Sequence, residues 1–147
     1  MIQRIQSIYL LLALILMIVS FFLPLAEFSL GENLYELDVF GFSEPLAFSA
    51  PAMPFYLCLG FLSLCVLSSI FLFKNRKLQL RVNWISILLL LGLIIYIFYF
   101  VDKLELQTKA KYLAGVYTIV AALPFLILSS RAIKKDEDLV KSLDRIR

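Results

Sequence analysis

Residues 74–81, reading KNRKLQLR, constrain this chain more than any other stretch. They hold four cations (Lys74, Arg76, Lys77 and Arg81) and no acid. An apolar run long enough to cross a bilayer lies on either side. A short basic segment between two spans stays on the cytoplasmic side of a membrane, and this orients every other segment. Composition agrees. Of 147 residues, 62% are hydrophobic, against about half in a soluble domain, and mean hydropathy is +0.92. Only 17% are charged, and they cluster between long neutral gaps. A charge at the bilayer centre costs several kcal/mol on insertion scales, so a lipid-embedded chain should be patterned this way.

The spans follow from the apolar runs. The first, about residues 6–24, has Arg4 ahead of it. It resembles a signal peptide, but the uncharged part is longer than a signal core, and Pro24 would stand three residues before a cut after Ala26. A retained first helix is expected. The second span covers about 52–73. Its Ser63, Ser68, Ser69 and Gly60 suit close packing in lipid, so it is expected inside the bundle. The third, 83–101, is aliphatic all round and expected to meet lipid widely, with Trp84 and Tyr99 as interfacial anchors. The fourth covers 112–130. Ala114, Thr118 and Ala122 form a small-residue face, and Pro124 should bend or loosen the helix.

Between the first two spans, the loop 25–51 carries Glu27, Glu32, Glu36, Asp38 and Glu44 but no cation, so it is free to be exported. Tyr35, Leu37 and Val39 alternate with Glu36 and Asp38, the period of a strand with one wet face. With Phe28-Ser29-Leu30 across the turn-forming Gly31-Glu32-Asn33, this predicts a β-hairpin. Two strands alone are marginal in water, so the apolar face should rest on helix ends or the membrane interface. The connector 102–111 has mixed charge. Eleven cations fall on the proposed inner segments and three on the outer ones, Lys103, Lys109 and Lys111. The architecture is therefore a single all-α membrane domain over residues 1–147. It is a four-transmembrane-helix bundle with a small extracytoplasmic β-hairpin loop, both termini cytoplasmic, and a cytoplasmic tail 131–147. In that tail Leu139, Val140, Leu143 and Ile146 make one apolar helical stripe. The tail is expected to continue the fourth helix, or to dock a cytoplasmic partner.

The residue inventory excludes much chemistry. Histidine is absent, so neither a Ser-His-Asp nor a Cys-His nucleophile can be built, nor an ordinary His-ligated haem or zinc. Cys58 and Cys65 are seven apart, about 10.5 Å along a helix, too far for a disulfide. No span carries an acid or base, the default marker of an ion pathway. Glu32, Glu36 and Asp38 read as a solvated face before they read as a Ca²⁺ site. Tyr96, Phe98, Tyr99 and Phe100 read as lipid-facing aromatics. No catalytic residue, metal or cofactor is expected, and the net charge of +3 does not point to nucleic acid.

The opening Met1-Ile2-Gln3-Arg4-Ile5-Gln6-Ser7-Ile8-Tyr9-Leu10 and the closing run from Arg131-Ala132-Ile133-Lys134-Lys135-Asp136-Glu137-Asp138 through Leu139-Val140-Lys141-Ser142 to Asp144-Arg145-Ile146-Arg147 resemble the two ends of a family of short four-span membrane proteins of Bacteroidota, domain of unknown function 4293. The resemblance implies an inner-membrane protein with its first helix retained, and it implies no activity or ligand. It coincides with the segments placed at the cytoplasmic face. The leading expectation is a non-enzymatic protein acting by association there, with Arg4, Lys74, Arg76, Lys77, Arg81, Leu139 and Leu143 as contacts and Gln3 and Gln6 beside them. The partners would be membrane lipids, a membrane or cytoplasmic protein, or a second copy. The alternative is a small lipid or solute carrier with a cavity lined by Ser63, Ser68, Ser69 and Thr118. An enzyme using the outer carboxylates ranks last.

Overall fold

Leucine-rich runs with few helix breakers have high helix propensity, and all four such runs are helical. The computed structural model describes residues 5–30, 33–42, 53–105 and 109–144. Its helices are α1 (Ile5–Ser20), α2 (Met53–Phe71), α3 (Arg76–Glu105) and α4 (Ala114–Asp144). Its strands are β1 (Ala26–Leu30), β2 (Asn33–Asp38), β3 (Gly41–Phe42) and β4 (Lys109–Tyr112). Arg4, Gly31, Glu32, residues 43–52 and residues 145–147 lie outside the described residues, and so do the expectations that fall on them.

The helices alternate in direction and form a ring. The most extensive contact is between α1 and α4, followed by α3 with α4, then α2 with α3 and with α1. Fully buried Ala13 on α1 and Ala122 on α4 let these two helices approach closely. The second helix packs less extensively than the other three, although its small residues suggested the bundle interior and its Phe55, Leu59, Leu62 and Val66 are buried. Ser63 and Ser68 donate to Leu59 O (2.8 Å) and Leu64 O (2.7 Å) in their own helix, and Cys58 is exposed. A serine that bonds back to its own helix contributes nothing to a neighbour.

Among the described residues, α3 and α4 are the helices long and apolar enough to cross a membrane by themselves, over Arg76–Lys103 and Ala114–Asp138. Just 33% of the apolar window of α3 is buried inside the protein. The remainder faces outward, with Leu88, Ile95 and Tyr99 each more than 60% exposed. The core helix of a soluble protein would be mostly buried.

Helix boundaries differ from the sequence reading at the basic stretch. Lys74 closes a 3₁₀ turn, Leu72–Lys74, and α3 begins at Arg76, so most of the cations sit on a helix and not in a loop. Asn75 makes the break. Its Oδ1 accepts from Leu78 N (3.3 Å) and its carbonyl from Gln79 N (2.9 Å), which is N-cap behaviour. At the other end of the chain α4 runs unbroken through Pro124 into the tail. The tail therefore continues the fourth helix.

The predicted hairpin is present as β1 and β2, in the register Ala26↔Leu37 to Leu30↔Asn33. It belongs to a larger sheet of order β3-β2-β1-β4, because residues 109–112 of the connector form a strand beside β1. Ala26, Phe28 and Leu37 are buried on one face and join the helix core, as the alternation predicted. The opposite face carries the row Glu36↔Glu27↔Lys111. That row accounts for a cation at this end of the molecule: Lys111 lies across from Glu27, which already faces Glu36 on its other side.

One close approach joins sheet and bundle. Leu113 N donates to Leu25 O and Gly115 N to Pro24 O, both at 2.9 Å, while Leu25 N donates to Leu37 O at 2.7 Å. A Cβ on Gly115 would lie 2.7 Å from both Leu23 O and Pro24 O, backbone atoms that cannot turn aside. Gly92 of α3 has nothing within 4 Å of the same position. Gly115→Ala is therefore expected to destabilise by about 1–3 kcal/mol, the usual cost of overpacking. Gly92→Ala should be neutral or gain about 0.5–1 kcal/mol through helix propensity. Thermal melts of both variants in detergent would check the contrast.

Candidate functional site

The end of the bundle opposite the sheet gathers the start of α1, the end of α2, the start of α3 and the last third of α4. Buried polar residues concentrate towards it. On α3, Gln79 and Asn83 are four residues apart, so they stack on one helix face, and both are fully buried. Gln79 Nε2 donates to Ser69 O of α2 at 2.9 Å. Asn83 Nδ2 donates to Leu126 O at 3.0 Å and Ser130 Oγ at 2.8 Å, both on α4. A polar layer thus ties α3 to its two neighbours. Backbone carbonyls only accept, so these contacts also identify which amide atom is nitrogen.

Several buried polar atoms in this half have no partner among the described residues: Gln6 Oε1, Ser69 Oγ, Gln79 Oε1, Asn83 Oδ1 and Ser129 Oγ. An unsatisfied buried polar group costs about 1–3 kcal/mol, so several together mark a place where the fold is not optimised for stability alone. The sequence reading named Gln6 but missed Gln79 and Asn83. Their spacing of four, from the basic stretch to the first residue of the third apolar run, was the available signal.

Below this layer the helix ends enclose a cavity of about 420 Å³. Gln6 and Ser7 of α1, Phe71 of α2, Phe73 of the 3₁₀ turn, Arg76 of α3 and Asp136 of α4 line it, so every helix contributes. Arg76 crosses the cavity to α4. Its Nη1 donates to the Asp136 backbone carbonyl at 2.9 Å, and its Nη2 lies 3.3 Å from Asp136 Oδ2. The two side chains are 32% and 30% exposed, so the ion pair is reachable from outside. Gln6 is only 6% exposed. The wall is apolar near Phe71 and Phe73, residues that are 68% and 48% exposed.

Of the expected contact residues, Arg76 lines the cavity, while Lys77 and Arg81 are exposed on the adjoining turns of α3. Lys74 lies in the 3₁₀ turn, and Leu139 and Leu143 fall in the last turns of α4. Arg4 lies outside the described residues. None of the residues expected of a carrier, Ser63, Ser68, Ser69 and Thr118, lines this cavity. Ser68 is exposed, Ser63 and Ser68 bond back to their own helix, and Thr118 Oγ1 donates to Gly115 O at 2.8 Å. The aromatics of α3 face outward as expected, with Tyr96, Phe98 and Tyr99 exposed and Phe100 half-buried, and three of them also touch aromatic neighbours. Tyr96 and Phe100 pack on Phe55 with ring centroids at 5.2 Å, and Phe98 packs on Tyr112 at 5.1 Å. Tyr99 faces outward. Among the described residues no group of three or more His, Cys, Asp or Glu side chains could hold a metal ion.

A family model described as Domain of unknown function (DUF4293) matches residues 2–146. The chain belongs to that family. The match takes in both ends that carried the resemblance, so the cavity and its polar layer lie inside the DUF4293 domain. Comparison with curated proteins and with solved structures gives no match.

The polar layer makes a direct energetic prediction. Interhelical side-chain hydrogen bonds between membrane helices contribute about 0.6 kcal/mol on average and up to about 1.7. Asn83→Ala should lose stability in that range in detergent melts. Ser86→Ala should change little, because its hydroxyl donates to Val82 O (2.9 Å) within the same helix.

Proposed function

We propose that this DUF4293 protein is a non-enzymatic integral protein of the cell inner membrane. It crosses the bilayer four times with both termini cytoplasmic, and it works as an accessory or scaffold subunit by association at its basic end. The observation that carries this reading is the convergence of the start of α1, the start of α3 and the tail of α4 on one cavity, at the end where most of the cations lie.

The dimensions support it. At 1.5 Å per residue α3 and α4 are about 45 Å long, which exceeds the hydrocarbon thickness of about 30 Å. Their basic turns therefore have length to spare beyond the hydrocarbon. The helix α1 spans about 24 Å, and its apolar run continues through Phe21, Phe22 and Leu23 to the sheet. Trp84 and Tyr99 are both more than half exposed on α3, as interfacial anchors would be.

Arg76 is engaged with Asp136, but Lys77, Arg81, Arg131, Lys134 and Lys135 are exposed. Each such cation contributes about 1 kcal/mol near an anionic surface. They orient the protein and supply charge for a partner.

Two measurements test the reading. With Cys58 and Cys65 replaced by alanine, Lys77→Cys should react with a membrane-impermeant maleimide only after the cytoplasmic side is opened. Labelling in intact cells would overturn the topology. Gentle detergent purification from the native host should recover a stoichiometric partner, and Lys77→Glu with Arg81→Glu should reduce that recovery several-fold. Unchanged recovery would count against association through this face.

A further inference from the structure

We propose that the outer seam between α3 and α4, at the basic end, binds the headgroup of a diphosphate phospholipid, two phosphodiesters joined through a glycerol as in cardiolipin. The inference deepens the functional reading above and rests on it, since it requires the seam to lie at the headgroup level of a bilayer.

On α3, Lys77, Arg81, Trp84, Leu88, Leu91 and Ile95 follow one another at spacings of four and three, and all are exposed. Side chains at those spacings form one stripe on a helix. From the basic end inward the stripe reads cation, indole, hydrocarbon, the order of a lipid from phosphate to acyl chain. It lies on the outside of the bundle, on the α4 flank. Gln79 bonds to α2 and Asn83 to α4, and Trp84 and Lys77 stand about 100–120° round the helix from Asn83, on the side away from Gln79.

Helix α4 carries a matching stripe. Ser130 faces α3 and Asp136 faces the cavity. Lys134, Ile127 and Arg131 stand about 40–100° round from Ser130, on the side away from Asp136. The bonds of Asn83 to Leu126 and Ser130, and of Arg76 to Asp136, also fix the relative heights of these antiparallel helices. Lys77 is therefore level with Lys134, and Arg81 with Arg131, so four cations straddle the seam.

These cations are available. All four are exposed, and none forms an ion pair with a described residue. Arg76, by contrast, is taken up by Asp136 on the inner side. The acid nearest the patch along α4 on that face is Asp138, one turn beyond Lys134 toward the tail. Packed helices lie about 8–10 Å apart, so cations on both span more than a single phosphate can bridge. Two phosphates on one glycerol can engage both helices, and a dianion matches four cations better than a monoanion does. Basic pockets between membrane helices on the cytoplasmic side are a recognised setting for such lipids.

Trp84 is the only tryptophan of the chain and stands directly inward of the cations, so its fluorescence reports the site. Purified full-length protein in mixed micelles would be titrated with cardiolipin, phosphatidylglycerol or phosphatidylcholine carrying the same brominated acyl chains, since bromine quenches an indole that it touches. Cardiolipin should reach half-maximal quenching at about tenfold lower concentration than phosphatidylglycerol at equal phosphate, with phosphatidylcholine weaker still. Lys77→Gln with Lys134→Gln should abolish that preference. Lys103→Gln with Lys135→Gln removes the same charge away from the seam and should keep it, because Lys103 lies at the sheet end and Lys135 about 140° round from Ser130. Equal quenching by cardiolipin and phosphatidylglycerol would overturn the assignment. So would a preference that survives in the seam variant, or one lost equally in both variants. The two levels of failure separate in the same titration: quenching by none of the lipids sinks the functional reading, whereas quenching by all three alike sinks only this assignment.

Discussion

The contact on which the architecture depends is the crossing of the α1–β1 corner over the first turn of α4. Two backbone N–H groups at the start of α4, which have no partner inside their own helix, are taken up by the carbonyls of Pro24 and Leu25. One short segment thereby ends α1, starts the sheet and seats α4. Gly115 is required because the crossing leaves no room for a Cβ. The α1–α4 contact, the largest in the bundle, grows out from this point. The sheet is held by the same bonds, since Leu25 also pairs with Leu37 of β2.

Away from that corner the bundle changes character. Near the sheet its packing is apolar and aromatic, with Phe55 wedged against Tyr96 and Phe100. Toward the basic end amides and hydroxyls replace hydrocarbon, and the Arg76–Asp136 pair closes the far side. Apolar packing in lipid is permissive, because the surroundings are as apolar as the side chains. Hydrogen bonds between helices carry direction, and Asn83 sets the height of α3 against α4 through two of them. The molecule thus has one end fixed by backbone geometry and the other by side-chain bonds. The second is the end with unsatisfied atoms and an accessible cavity.

Much of this was legible in the sequence, for physical reasons that differ by element. The four helices were visible because long uncharged runs leave no doubt about helix in a chain this apolar. The inward face of the hairpin was visible because alternation over Tyr35–Val39 has a period only a strand can use. The fourth strand was not, because Lys109-Ala110-Lys111-Tyr112 is too short and charged to declare itself, and it is a strand only because β1 offers an edge. The start of α3 was placed too late, at residue 83, because the apolar run begins there, whereas Asn75 is a helix cap and basic residues do not disfavour helix. The helix α2 packs less extensively than its small residues suggested, because such residues license close packing without requiring it. At the candidate site, Arg76 and Gln6 could be named in advance. Their convergence with Asp136 could not, because it depends on how far α4 extends past the apolar run.

The uninterrupted course of α4 has a mechanical consequence. A single rod of 31 residues runs from the β1 corner, where its first turn is clamped, to Asp144 at the opposite extremity. Torque or tension applied at the tail would be delivered to the strands with little lost on the way, because Gly115 leaves the clamp no slack. The tether at Asp136 lies about eight residues short of Asp144, so about two turns of helix follow it. Whatever grips those turns pulls on a helix that is packed along α1 and α3 and bonded to the β1 corner.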